Sequence, residues 1–129
     1  MGYMTIKRLL VAGSVALAAA GLFATAASAS CIAMTSAEQR ARANVIFNGV
    51  ALEGPTATGV QKFRVTRYLK SSGPVIVRVR TGTVRRPDGT GSTTSVSLLV
   101  RRGAKWRIFG RGRVTRVISS NVCDGSRSL

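Results

Sequence analysis

The chain has 129 residues, so a single domain is expected. It carries 20 Lys and Arg against 4 Asp and Glu, a formal net charge of +16, and no His. Without imidazole there is no Ser-His or Cys-His nucleophile pair, no His metal ligand and no His general base, and two cysteines with four scattered acids do not make a usual zinc site.

Residues 1–29 read as a cleavable secretion signal. Lys7 and Arg8 supply a positive start, Leu9 to Phe23 is an uncharged run, and Ala27-Ser28-Ala29 fits the small-x-small rule of a signal peptidase. A retained anchor wants about twenty strongly apolar residues. This run is shorter and mostly Ala and Gly. Cleavage after Ala29 leaves Ser30 first; cleavage after Ser30 leaves Cys31 first. Loss of Lys7 and Arg8 lowers the formal charge from +16 to +14, because Glu38, Glu53, Asp88 and Asp124 all follow the cut. Fifteen of the eighteen remaining basic residues are Arg. Such an excess favours anionic partners, although GC-rich coding also produces it.

Thr35 to Ala43 reads as a short helix, with Thr35 and Glu38 spaced as a capping box. Asn44 to Glu53 is apolar on both faces, as in a central strand. Gln61 to Leu69 alternates until Arg67 falls on the Phe63 face, and a bulge near Arg67 restores the pattern. Ser71 to Pro74 is a turn. Val75 to Thr81 sets Val75, Val77 and Val79 against Ile76, Arg78 and Arg80. Arg85 to Gly91 carries a Pro-Asp-Gly turn signal. Ser92 to Val100 reads as a fourth strand, Ala104 to Phe109 as a fifth with Trp106 and Ile108 inward, and Arg113 to Ser119 as a last. Gly110-Arg111-Gly112 reads as a turn.

An exported chain meets an oxidising environment, so Cys31 and Cys123 read as one disulfide; free thiols or an intermolecular bridge are the alternatives. Arg78 and Arg80 share one strand face, Lys105 and Arg107 another, and Lys62 and Arg64 a third. Neighbouring strands would join them into a basic wall suited to bidentate capture of phosphate, sulfate or carboxylate. The plain alternative is the solvent face of an antiparallel sheet. Apart from Tyr68 the aromatics fall on apolar faces, so no nucleic-acid partner is expected. Asp88 suits its turn, Glu38 its cap and Asp124 a loop, leaving no convergent carboxylate pair.

The order of Cys31, the helix, Ala43-Asn44-Val45-Ile46-Phe47-Asn48-Gly49-Val50, Phe63-Arg64-Val65, Val75 to Thr81, Gly103 to Phe109 and Asn121 to Arg127 resembles the netrin-like domains. That superfamily includes the tissue inhibitors of metalloproteinases and small bacterial secreted relatives. The resemblance implies an OB-like barrel with its N-terminus stapled across it. It also implies that Cys31, once first in the chain, presents its amine and carbonyl to a target enzyme's zinc, with Ile32 beside it. Ala33 stands where the family has a second cysteine, and no cysteine occurs near Thr94-Ser95.

The expectation is therefore an all-β fold over residues 30–129: an OB-like barrel of five to six strands with one short N-terminal helix. It is a secreted, monomeric, non-enzymatic binding module without metal or cofactor, and membrane contact is confined to the signal. Its partner is a protein, as in metalloproteinase inhibition through Cys31 and Ile32, or an anionic envelope polymer or polysaccharide held by Arg64, Arg78, Arg80, Lys105 and Arg107.

Overall fold

The first turn of structure is a capped helix, α1 (Ser36–Arg42), in a computed structural model that describes residues 31–129. The secretion signal read over residues 1–29 lies outside the described residues. Thr35 caps α1, its hydroxyl accepting the Glu38 N–H at 3.2 Å. The Glu38 carboxylate takes the Thr35 hydroxyl at 3.2 Å rather than the cap N–H, so the expected capping box is only half made. Arg40 and Arg42 occupy the last turn, where cations suit the helix dipole.

Eight strands follow: β1 (Val45–Ala51), β2 (Val60–Lys70), β3 (Ile76–Arg80), β4 (Val84–Arg85), β5 (Gly91–Ser92), β6 (Lys105–Gly110), β7 (Val117–Ser119) and β8 (Arg127–Ser128). Six of them form one curled sheet in the order β7-β3-β2-β1-β6-β8, and β4 with β5 forms a small hairpin. All neighbours are antiparallel except β3 and β7, which run parallel. Just beyond β6, Arg111 exchanges both backbone hydrogen bonds with Ser119 of β7 at 2.9 Å, so the two sides of the curl meet. Among the described residues the fold is mostly β, with one short α-helix.

Alternation decides what lies inside the curl. Phe47, Phe63, Val77, Val79, Ile108 and Ile118 are fully buried there, with Leu98 and Val100 between them. Val75 is not part of this core: it precedes β3 and is exposed. The slip in β2 is resolved by two irregularities in pairing with β1. Thr66 and Leu69 are each left without a partner, so Arg67 opposes Asn48 while Tyr68 opposes Phe47. Tyr68 therefore joins the core edge, its ring 6.1 Å from that of Phe47, and its hydroxyl donates to the Pro74 carbonyl at 2.6 Å. Burial raises its pKa above the ordinary phenol value.

Two expected strands are corrected. In Ser92 to Val100 only Ser92 belongs to a strand, although Leu98 and Val100 still face inward. Of Arg113 to Ser119 only Val117–Ser119 pairs, because Arg116 donates its N–H to the Arg113 carbonyl and turns the first half. The Pro-Asp-Gly signal forms the tip between β4 and β5. There the Asp88 carboxylate accepts the Thr90 hydroxyl at 2.6 Å and its N–H at 2.9 Å, which holds the carboxyl below its usual range. Both cysteines are disulfide-bonded, and as the chain has two, the bond is Cys31–Cys123. Such a bond belongs to an oxidising, non-cytoplasmic setting.

Candidate functional site: the basic outer face of the sheet

With Phe63 and Gln61 of β2 turned inward, Lys62 and Arg64 must point outward, since successive strand residues alternate. The same rule sends Arg78 and Arg80 outward from β3, where Val77 and Val79 are buried, and Lys105 and Arg107 outward from β6 around Ile108. All five residues named from the sequence, Arg64, Arg78, Arg80, Lys105 and Arg107, therefore share the outer face.

The register places them in rows. Val50 of β1 opposes Lys105 on one side and Arg64 on the other. One step along, Asn48 opposes Arg107 on one side and Arg67 on the other. Lys62 directly opposes Arg78, and Arg80 follows two residues further along β3. The curl separates β3 from β6 by two strands, so Lys105, Arg107, Arg64 and Arg67 form the closer cluster, and Lys62, Arg78 and Arg80 continue it around the bend.

Arg67 joins this face only because of the paired irregularities in β2; the plain alternation of the sequence puts it inside. The Nε of half-buried Arg107 donates to the Asn48 side-chain oxygen at 2.9 Å, which steadies the guanidinium over the sheet. The Asn48 carbonyl in turn accepts the Thr66 hydroxyl at 3.1 Å.

Little negative charge offsets the face. The only ion pair among the described residues joins Arg111, just beyond β6, to Asp124 at 3.1 Å. Glu53 shares a depression with Lys62 and Arg78 without pairing to either, and Glu38 and Asp88 are engaged by Thr35 and Thr90. Like charges set directly across a strand pair oppose folding. The Lys62–Arg78 juxtaposition sets two exposed cations across one strand pair.

Near the start of the described chain, Ile32 is 83% exposed next to disulfide-bonded Cys31. Among the described residues no group of three or more His, Cys, Asp or Glu is placed to hold a metal ion, and no helix is long and apolar enough to cross a membrane. No protein-family model, curated protein or solved structure matches the chain.

Proposed function

We propose that the chain is a secreted, non-enzymatic binding module that engages an anionic polymer through the outer face of its curled sheet. The observation that carries this reading is the cross-strand adjacency of Lys62 with Arg78, and of Arg64, Arg67, Lys105 and Arg107 around Val50 and Asn48, with none of these cations held in an ion pair. A face selected for folding alone would alternate its charges. The lack of any histidine supports a non-catalytic role. The parallel β3–β7 pair and the Arg111–Ser119 bridge support a curled, partly open barrel, the shape this reading needs.

The test is heparin affinity as a function of salt. Each neutralised anionic group releases a counterion, so binding to a linear polyanion weakens steeply between about 50 and 200 mM salt. Arg78→Ala with Arg80→Ala is expected to lower affinity at low salt by roughly tenfold or more and to flatten the log–log salt slope by about two. An unchanged affinity and slope in that double variant would remove the face from the interaction.

A second reading, inhibition of a metalloproteinase through the N-terminal segment, is favoured by the exposure of Ile32 beside Cys31. It requires a mature chain that begins at Cys31, which the mass of the secreted protein decides. It also expects Ile32→Glu to abolish inhibition of a target protease. A mature chain beginning at Ser30 rules out amine chelation by Cys31.

A further inference from the structure

Between the end of α1 and the outer face of β1, β2 and β6 lies a groove of about 390 Å³. Its floor is apolar, formed by Ile46 and Phe109, both nearly fully buried, with Leu69 as a 41% exposed wall. Its rim carries Arg40, Lys70 and Arg107, and no acidic residue lines it. The size falls within the range of small-molecule sites, about 300–1,000 Å³, and an apolar lining with a few convergent polar groups is their usual make-up.

The three cations are not equivalent. Lys70 Nζ donates to the Arg40 carbonyl at 2.6 Å and to the Ala41 carbonyl at 3.4 Å, so it ties β2 to the exposed carbonyls at the end of α1. Arg107 spends its Nε on Asn48 and also lines the groove. Arg40, on α1, is exposed and lines the same groove. An isolated hydrophobic slot would not need two guanidinium groups, and a bare anion would gain nothing from Ile46, Leu69 and Phe109.

We propose that this groove binds a small amphipathic anion, a phosphate or carboxylate head on a short apolar body. The head lies between Arg40 and Arg107, where guanidinium forks offer bidentate hydrogen bonds. The body lies on Phe109 and Ile46 against Leu69. The ligand class follows from charge complementarity together with the apolar floor. Polymer binding by Arg78 and Arg80, which lie outside the groove, is a separate property.

Isothermal titration of the secreted protein with hexyl phosphate, inorganic phosphate and hexanol tests it. Hexyl phosphate is expected to bind at least roughly tenfold more tightly than either of the others, since both head and body must contribute. Arg40→Gln and Leu69→Asn change exposed side chains and are each expected to weaken it severalfold. Leu69→Asn keeps every charge, so its heparin elution should not move. Equal affinity for hexyl phosphate and inorganic phosphate, or for hexyl phosphate and hexanol, would overturn the site. So would unchanged hexyl phosphate affinity in both variants, with thermal melts confirming that they are folded. Heparin binding without hexyl phosphate binding overturns the groove and spares the polymer reading; the reverse result spares the groove alone.

Discussion

Replacing Cys31 and Cys123 together with Ser is expected to lower the free energy of unfolding by about 4–5 kcal/mol. The bond closes a loop of roughly ninety residues, nearly the whole described chain, and loop-closure entropy in the unfolded state grows with loop length. The turn around Cys123 has ties of its own besides the cystine. Cys123 sits in a 3-10 turn, Val122–Asp124, whose ends hold each other. The Asp124 N–H donates to the Asn121 side chain at 3.1 Å, and the Asn121 N–H donates to Asp124 Oδ2 at 3.2 Å. Arg111 pairs with the same Asp124 carboxylate, and Gly125 leaves the turn at φ 105°. The loss is therefore carried mainly by the unfolded chain, which becomes free to expand. Urea unfolding should show a lower midpoint and a larger m value, the mark of a more exposed denatured state. Domains of this size are stable by only about 5–15 kcal/mol, so the variant sits near the edge of folding. A loss below about 1 kcal/mol would mean that the unfolded chain keeps its ends together without the bond.

The amino-acid pattern reveals the faces of strands better than the strands themselves. In β3 alternation names both the buried residues and the outward cations, and in β6 it names the outward cations and inward Ile108, because each is a regular strand between two hydrogen-bonded neighbours; Phe109 is buried on the other face of β6, with Ile46. Ser92 to Val100 alternates as well: Leu98 and Val100 are buried while Leu99 is 65% exposed. Yet its backbone is satisfied piecemeal. Leu98 donates its N–H to Thr81 and accepts the Thr83 hydroxyl at 2.8 Å, and the Val100 carbonyl accepts Gln61 Nε2 at 3.1 Å. Buried side chains thus replace a ladder, and burial keeps its period of two where strand pairing is lost. The hairpin of β4 and β5 and the pairing of β8 with β6 leave no such trace, since strands of two residues are too short to show a period.

The same distinction governs the candidate sites. Arg64, Arg78, Arg80, Lys105 and Arg107 are legible because each lies beside a buried or half-buried apolar neighbour in a paired strand. Arg67 is not, since its direction depends on residues skipped in pairing, a property of two strands at once. The groove is less legible still. Arg40, Ile46, Lys70 and Arg107 come from four elements, and no local spacing links them.

Phe47→Ala is expected to cost about 3–5 kcal/mol, the usual range for truncating a buried aromatic side chain. Phe47 lies at the middle of β1, which pairs on both sides, and it is fully buried. Its ring meets Phe63 edge-on, with centroids 6.2 Å apart at 70°, and Tyr68 at 6.1 Å and 58°. Gly49 follows two residues later on the same face, where an added Cβ would stand 3.0 Å from the Phe47 ring and 2.9 Å from the Arg64 carbonyl. The backbone is thus already drawn in close around the ring, which limits how far the site can collapse after truncation. The midpoint of urea unfolding should fall while the m value stays, because the surface exposed on unfolding changes little. A cost below about 1.5 kcal/mol would mean that Phe63 and Tyr68 close the cavity. Alternation separates this core from the outer face: Ile46 and Asn48 flank Phe47 and point the other way. Under conditions where the variant remains folded, its heparin elution should therefore match that of the parent chain. A shift would mean that the rows around Asn48 and Val50 take their spacing from the Phe47 ring beneath them, and that the core sets the geometry of the charged face.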